Sequence, residues 1–303
     1  MHAGLLTVVI PAYRRPELLT RTLSSLSRVN DLDRIAKVWV AENDTESSLE
    51  GIVAPFSGRL PVRYLFHPQP GKSGALNEVL ERCDDGLIVF LDDDVRVSPA
   101  TIITYWQAWR DCPQRAYFGG PCGVDYESPP DERLLCYMTW STTGWHLGDQ
   151  DGWLGRRQHF LGCNWAVQRR DILAIGGFDR TFGPGATTGA TGQESNAQRR
   201  LAGAGLRGRY LASARVWHHV AEHQVRSDWI LQRRQKAGLE LGRIVAGKVT
   251  PKLRVHAVHA AIQLLKIRFR CQNLFSVRDA SFHRKWWAAY RDGAMSAVRG
   301  VES

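Results

Sequence analysis

The 303-residue sequence lacks several features that would place it in other classes of protein. No uncharged apolar run is long enough to cross a membrane, and Met1 to Ile10 lack the basic segment and long apolar stretch of a signal peptide. The cysteines show neither CxxC pairs nor the spacing of metal ligands. We therefore expect free thiols and a location in the cytoplasm, or at the inner face of the cell membrane. The six cysteines are Cys83, Cys112, Cys122, Cys136, Cys163 and Cys271.

Acidic residues are scarce in the last quarter of the chain. Residues 226–303 contain 16 Lys/Arg but 5 Asp/Glu, a net charge of +11, so the preceding 225 residues are nearly neutral. Either an anionic lipid surface or a nucleic acid would suit such a tail. We expect no nucleic-acid partner, and contact with a membrane surface is one interpretation of the tail. The apolar content of 44% excludes a disordered chain.

Strand and helix patterns alternate over the first 120 residues. Leu6 to Ile10 form an apolar run that ends at Pro11, and Pro16 opens a segment with leucines at helical spacing. This alternation predicts a mostly parallel, Rossmann-like sheet with helices on both faces. Further strands are predicted at 35–41, 62–66, 87–91 and 116–119, and further helices at 74–82 and 98–111.

Three consecutive aspartates follow the apolar run from Leu87 to Leu91. Buried strands of α/β sheets present ligand sites at their carboxyl ends. Because side chains alternate along an extended chain, Asp92 and Asp94 are predicted to point the same way and Asp93 to turn aside. Two oxygen donors on one side suit Mg²⁺ or Mn²⁺ that also binds a diphosphate. An acidic turn that merely ends the strand is the alternative.

The second half of the sequence contains less regular segments. Residues 121–160 mix Pro, Gly and aromatic residues, which suits either a pocket wall or ordinary core aromatics. The Gly/Thr-rich stretch from Gly183 to Gly192 is predicted to be a loop, acting either as a lid or as a surface connection. It leads into a predicted helix at 193–204.

The basic tail is predicted to be helical. Between residues 252 and 270 one face is apolar and the other is basic and polar. We therefore divide the chain into residues 1–225, an α/β domain, and residues 226–303, a basic amphipathic helical extension. The extension either docks onto the main domain or lies on a membrane surface, where the tryptophans of Arg284-Lys285-Trp286-Trp287 would suit the interface. The apolar face comprises Val258, Ala261, Ile262, Leu265 and Phe269, and the other face comprises Lys252, His256, His259, Gln263, Lys266 and Arg270.

Several motifs, in this order and spacing, together resemble the inverting family-2 glycosyltransferases of GT-A fold. The resemblance spans about residues 5–225. It implies a divalent-metal-dependent enzyme, using Mn²⁺ or Mg²⁺, that moves a sugar from a UDP- or GDP-sugar to the hydroxyl of a carbohydrate or lipid-linked acceptor. Surface polysaccharide or glycolipid assembly is the implied setting. The motifs are Val8 to Arg15, the GK..ALN segment Gly71 to Asn77, the DxD element Leu91 to Val95, Gly162-Cys163-Asn164 and Gly176 to Asp179.

The resemblance also implies roles for individual residues. On the donor side it places Pro11, Tyr13 and Arg15 where the backbone passes the nucleotide base, and Glu42 where the family usually has an aspartate for the base or ribose. Asp92 and Asp93 belong to the same donor site.

The remaining implied sites are the metal and the acceptor. Asp94 and a histidine after the last core strand, with His218 favoured over His219, would bind the metal. Asn164 and Trp165 would lie on the acceptor side.

Lys72 has a physical argument of its own. It follows a glycine at the start of a predicted helix, where backbone N–H groups and a positive charge both favour an anion. A solvated lysine at a helix start is the alternative. We therefore expect Lys72 to contact the donor diphosphate.

Inversion requires one general base opposite the leaving group. The family has an acidic pair at a helix start, followed by Arg-Leu, and Gln193-Glu194 with Arg200-Leu201 resembles it. Glu194 aligns with the catalytic aspartate, while Gln193 departs from the pattern. We predict that Glu194 is the base; an acidic residue favoured by the helix dipole is the alternative.

Two other functions compete with this interpretation. A sugar-1-phosphate nucleotidyltransferase has a related sheet, but its Gly-rich loop after the first strand is missing from Pro11 to Arg15. A catalytically inactive relative that binds membranes or nucleic acid through the basic tail is the other alternative.

Overall fold

The computed structural model describes residues 5–112, 114–186, 191–247, 253–272 and 279–299. The chain forms two compact units. The first unit comprises residues 1–125, 143–186 and 193–219, and the second comprises 126–142, 187–192 and 220–303. The predicted boundary at residue 225 stays a prediction.

An eight-stranded sheet forms the centre of the first unit, as far as the structure describes it, with the order β3-β2-β1-β4-β9-β6-β10-β8. The run from β3 to β4 is parallel, as is the β6–β10 pair, whereas β9 is antiparallel to both its neighbours and β8 to β10. A smaller sheet has the order β5-β11-β7. The strands are β1 Leu6–Ala12, β2 Ile35–Glu42, β3 Val62–Phe66, β4 Leu87–Leu91, β5 Val95–Val97, β6 Ala116–Gly119, β7 Cys122–Tyr126, β8 Gly152–Trp153, β9 Asn164–Gln168, β10 Arg207–Tyr210 and β11 Val216–Val220.

The helices confirm the predicted α/β class. The helix predicted at 74–82 begins earlier, at Lys72, and the one predicted at 98–111 begins later, at Thr101. The helices are α1 Pro16–Leu26, α2 Glu50–Val53, α3 Lys72–Arg82, α4 Thr101–Asp111, α5 Trp140–Thr143, α6 Arg169–Ala174, α7 Gln193–Gly203, α8 Ser227–Ala246, α9 Arg254–Gln272 and α10 Ala280–Arg299.

Both faces of the large sheet are buried, which explains the continuous apolar runs in its strands. Val89 of β4 belongs to a cluster that includes Leu19 of α1, whereas Phe90 belongs to a second cluster with Leu76 of α3. Each such side chain contributes about 1.5–3 kcal/mol when fully buried. This packing fixes the carboxyl ends of β1 and β4, where the aspartates lie.

The second unit contains α8, α9 and α10. The α8 and α10 backbones approach closely at glycines, since a β-carbon on Gly238 would stand 2.1 Å from the Tyr290 carbonyl oxygen. The Arg234 guanidinium lies 3.6 Å from the ring centre of Trp286 and 3.7 Å from that of Tyr290. Val258 and Ile262, on the predicted apolar face of α9, are buried here.

The predicted opposite face of α9 is less polar than expected, because Leu264 and Ile267 are exposed beside it. Lys252 and the Arg270 side chain lie outside what the structure describes. Over the described ranges, none of the helices combines the length and apolar character needed to cross a bilayer.

Candidate active site

The three aspartates lie between β4 and β5, at the carboxyl end of β4. Asp93 and Asp94 are buried, with 1% and 6% of their surface exposed, whereas Asp92 is more open. The backbone N–H of Tyr13, just after β1, donates a hydrogen bond to Asp93 at 3.1 Å. The ends of two adjacent strands are thereby joined.

Asp92 to Asp94 form a turn rather than an extended segment, so the predicted alternation of their side chains is wrong. Asp92 contacts Lys72, whereas Arg15 binds both Asp93 and Asp94. Its guanidinium donates to Asp93 at 2.6 Å and to Asp94 at 2.5 Å. Burial raises the pKa of Asp93 to about 7, against the opposing effect of Arg15. For Arg15, burial opposes the charged form, but the aspartates outweigh it and raise its pKa. Arg15, whose side chain is 44% exposed, therefore offsets part of the acidic charge from the solvent side of the cluster.

His218, on β11, faces Asp94. Its Nε2 lies 3.4 Å from the Asp94 carboxylate. Burial disfavours the charges of both groups, yet their attraction raises the pKa of His218 to about 9 and keeps the pKa of Asp94 well below its usual value. The neighbouring His219 contacts Arg21 instead, with its Nδ1 3.2 Å from the Arg21 guanidinium.

The Asp94–His218 pair fits a divalent metal by its donor chemistry. Mn²⁺ accepts carboxylate oxygen and imidazole nitrogen. Asp94 Oδ1 and His218 Nδ1 are both buried without a hydrogen-bond partner among the described residues. No group of three or more His, Cys, Asp or Glu in the described ranges is arranged to hold a metal. Ligands from water or a bound diphosphate would have to complete the coordination of an ion here.

Lys72 joins two carboxylates from different parts of the sequence. Its Nζ lies 2.6 Å from Asp92 and 2.8 Å from Glu194. Although burial favours the neutral amine, these two charges raise the pKa of Lys72 above its usual value. The helix α3 begins at Lys72, directly after Gly71, whose φ is +140°. The first residue of the helix therefore carries the ammonium group, and both the helix N-terminus and this charge favour an anion.

Glu194 lies in the first turn of α7, and its surroundings are tightly fitted. The amide of Gln193 donates to Glu194 Oε1 at 3.0 Å. A β-carbon on Gly162 would stand 2.3 Å from the Glu194 carboxyl carbon, so only glycine allows the side chain to lie there. The glycine that the sequence motif contains thus has a steric reason.

Five of the predicted site residues line one small cavity in the first unit: Pro11, Lys72, Asp92, Trp165 and Glu194. Phe90 and Phe178 complete its apolar wall, where the rings of Phe90 and Trp165 stack at 4.9 Å. The structure therefore brings together residues that were predicted to lie on the donor side, on the acceptor side and at the base.

Two predicted site residues use their polar atoms internally. The buried Glu42 carboxylate accepts hydrogen bonds from Ser48, Leu49 and the Tyr64 hydroxyl. The amide of Asn164, also buried, donates to two carbonyls and accepts from Tyr105 at 2.7 Å. Direct contact of either residue with a substrate stays a prediction.

The sequence analysis missed how the segment before α7 is anchored. Ser73 donates to the Phe182 carbonyl at 2.8 Å, and the Lys72 N–H donates to the Pro184 carbonyl at 3.1 Å. Gly185 lies against the backbone of Gly71. The sequence feature that could have indicated this contact is the pair of glycines, Gly71 and Gly185, which allow the two backbones to approach. Of the predicted lid, residues 187–190 lie outside the described residues.

The described cysteines are free, as predicted; the Cys271 side chain is outside the described set. The Sγ atoms of Cys122 and Cys163 lie 3.6 Å apart, a proximity that their sequence spacing did not indicate.

The structure has a mostly parallel sheet, an acidic cluster at the carboxyl end of its inner strand β4, and a helical region after the sheet. This is the arrangement of a GT-A fold. Among solved structures, a mannosyltransferase of Pyrobaculum calidifontis in complex with GDP-Man and Mn²⁺ is similar, with a TM-score of 0.60 at 16% identity, over 97% of this chain and 86% of that one. TarS of S. aureus has a TM-score of 0.54 at 11% identity, over 98% and 92% of the two chains. These similarities concern the fold.

The chain belongs to glycosyl transferase family 2, whose family model matches residues 7–176. It is therefore a glycosyltransferase. The succinoglycan biosynthesis protein ExoM of Rhizobium meliloti (strain 1021) is 29% identical over 78% of this chain and 74% of that protein. The validoxylamine A glucosyltransferase of Streptomyces hygroscopicus subsp. limoneus is 29% identical over 43% of this chain and 30% of that protein.

Proposed function

We propose that this enzyme inverts the anomeric centre as it moves a sugar from a UDP- or GDP-sugar to a hydroxyl of a carbohydrate or lipid-linked acceptor. A single displacement requires one base and one stabilised leaving group. The observation that carries the proposal is that Lys72 binds both Asp92 and Glu194, which folding brings together from distant parts of the sequence. Surface polysaccharide assembly is supported by the similarity to ExoM, a succinoglycan biosynthesis protein.

Glu194 is the proposed base. Its carboxylate lies in the cavity and is held by Gln193 and Lys72. When a donor diphosphate enters, Lys72 gains a competing anionic partner, which leaves Glu194 Oε1 freer to take the proton from the acceptor hydroxyl. The Gln193 amide keeps the carboxylate oriented while this proton moves.

Lys72 and Arg15 are the proposed fixed cations of the donor site. Negative charge grows on the diphosphate as the glycosidic bond breaks, and a cation held in place before the reaction costs no reorganisation. Lys72 lines the cavity, whereas the partly exposed Arg15 is paired with Asp93 and Asp94, which do not line it. Pro11 and Tyr13, at the end of β1, are proposed to border the nucleotide.

Asp94 and His218 are the proposed holders of Mn²⁺ or Mg²⁺, because each has a buried polar atom without a partner among the described residues. A divalent ion bound there would act as a Lewis acid toward the diphosphate. Asp92 supports the same site from the cavity side.

Trp165 is proposed to shape the acceptor side indirectly, because its ring is fully buried against Phe90 and Phe178. Asn164 is proposed to act indirectly, by holding the start of β9 in place, since its amide donates hydrogen bonds to the carbonyls of Pro121 and Ala214. Glu42 would similarly shape the nucleotide pocket by fixing Ser48 and Tyr64.

We assign catalysis to residues 1–225 and treat 226–303 as the helical extension.

The test is donor turnover by the full chain. Labelled UDP- and GDP-sugars are incubated with Mn²⁺, with and without EDTA, and released nucleotide and sugar configuration are measured. We expect one donor class to be consumed, EDTA to stop the reaction, and the product to have inverted configuration. Turnover that persists in EDTA would contradict the proposed metal, and a product of retained configuration would contradict inversion.

Glu194→Gln provides the residue-level test. General-base catalysis contributes roughly 10²–10⁴-fold, so transfer should fall by that factor while donor affinity is retained. Glu17→Gln, on the exposed side of α1, is the matched control and should leave turnover unchanged. Full turnover by the Glu194 variant would rule out this residue as the base.

A further inference from the structure

A cleft of about 520 Å³ lies between α9 and α10 in the second unit. Its wall includes Lys266, Arg284, Arg291, His259 and Trp287, and none of the described residues that line it is a carboxylate. The Lys266 ammonium lies 5.8 Å from the ring centre of Trp287. The cleft is therefore electropositive and has an aromatic floor.

The charges of this cleft are only partly balanced within the protein. Arg291 is bound to Asp292 at 2.9 Å. In the described part of the chain, no carboxylate forms an ion pair with Lys266 or Arg284. An anion entering the cleft would thus meet two cations that need not give up an existing partner.

A stripe of exposed apolar residues begins at Leu253, directly before α9, and continues along that helix beside the cleft. Leu253, Leu264 and Ile267 are 56%, 69% and 61% exposed. On the other side of the same helix, Val258 and Ile262 are buried against the second unit. Helix α9 is therefore apolar on two sides, and the described residues cover only one of them.

The apolar stripe and the cationic cleft are immediate neighbours on the helix surface. Gln263 and Lys266 of the cleft directly precede Leu264 and Ile267 in the sequence, so each pair lies about 100° apart around the helix axis. Apolar side chains flanked by basic ones are the arrangement with which interfacial helices bind anionic membranes. Neither a free phosphate ion nor a nucleic acid would use the apolar stripe.

We propose that the α9–α10 cleft binds the phosphate headgroup of an anionic phospholipid while Leu253, Leu264 and Ile267 enter the adjoining leaflet. Trp287, whose ring forms the cleft floor, borders the headgroup region. This binding is independent of the proposed sugar transfer, because it needs neither a donor nor the cavity at Lys72. The two proposals can therefore fail separately.

The test is flotation of the full chain with vesicles of phosphatidylcholine alone, and of equal parts phosphatidylcholine and phosphatidylglycerol. We expect binding to the anionic vesicles only. Lys266→Gln with Arg284→Gln should weaken this binding roughly tenfold or more, since each cation near a membrane surface contributes on the order of 1 kcal/mol. Leu264→Ser with Ile267→Ser should also weaken it, because the leaflet contact is lost.

Matched controls lie in the first unit. Arg59→Gln with Arg63→Gln removes the same charge from exposed positions, and Leu147→Ser with Leu173→Ser makes the same kind of change at exposed apolar positions outside α9. Both controls should bind as the parent does. Lys266→Arg with Arg284→Lys, which preserves charge, should retain binding and excludes misfolding as the cause of a loss.

Several outcomes would overturn the proposal. Equal binding to both vesicle types would exclude headgroup recognition, and equal losses in the Arg59/Arg63 control would assign binding to net charge. If vesicles do not bind but inorganic phosphate or an RNA duplex binds through Lys266 and Arg284, the ligand of the cleft is not a phospholipid. Donor turnover, measured on the same samples, reports on the proposed enzyme activity separately.

Discussion

Gly162 stands where a β-carbon would lie 2.3 Å from the carboxyl carbon of Glu194. The two residues belong to different segments, one just before β9 and the other at the start of α7. The proposed base therefore occupies space that is available only because residue 162 has no side chain.

Gly162→Ala should displace Glu194 from the cavity. A displacement of about 1 Å at a catalytic group costs on the order of a hundredfold in rate, so we expect kcat to fall by that factor with little change in donor affinity. Steady-state kinetics with the preferred donor will measure this. Gly203→Ala, at the end of α7 with no neighbouring atom within 4 Å, is the matched control. An unchanged kcat in Gly162→Ala would show either that Glu194 takes no part in the reaction or that α7 shifts to accommodate the added methyl group.

Lys72→Met should impair both stability and donor binding. Removing the ammonium leaves the partly buried carboxylates of Asp92 and Glu194 without their partner, which costs about 3–5 kcal/mol when an ion pair is fully buried and less here. The donor KM should rise because the fixed positive charge is lost. Thermal unfolding and donor kinetics separate the two effects. Lys37→Met, which removes an exposed pair with Asp84, should change neither measurably; an unaltered donor KM in Lys72→Met would contradict the diphosphate role.

Asn164→Ala should reduce stability rather than acceptor affinity. The amide satisfies two buried carbonyls and the Tyr105 hydroxyl, and each unsatisfied buried group costs about 1–3 kcal/mol. Chemical denaturation should show the loss, while the acceptor KM of the folded fraction stays the same. A raised acceptor KM at unchanged stability would instead establish direct acceptor contact.

Asp94→Asn and His218→Gln should each raise the Mn²⁺ concentration needed for half-maximal turnover, by roughly tenfold or more, because each removes one proposed ligand. Metal titration at saturating donor measures this, with the exposed Asp84→Asn as the control. Turnover that is insensitive to both substitutions and to EDTA would show that fixed cations suffice for leaving-group departure.

The sequence predicted those features that depend on short stretches of chain. Apolar runs and their ends located β1, β4 and the acidic edge, because burial on both sheet faces demands such runs. The resemblance to known glycosyltransferases then singled out Lys72 and Glu194.

The contacts between distant segments were beyond such reasoning. The closeness of Gly162 to Glu194 and the internal bonding of Glu42 depend on how loops pack in three dimensions. On α9, the sequence analysis chose one apolar face and overlooked Leu264 and Ile267, since a helix that is apolar on two sides has no single best face.

Arg234 of α8 is enclosed by aromatic rings, and its Nε finds no hydrogen-bond acceptor among the described residues. Mobile ions weaken exposed electrostatic contacts far more than desolvated ones. Concentrated salt should therefore release the protein from lipid while α8 and α10 remain joined, so ionic strength offers a way to detach the enzyme without loosening its helical unit.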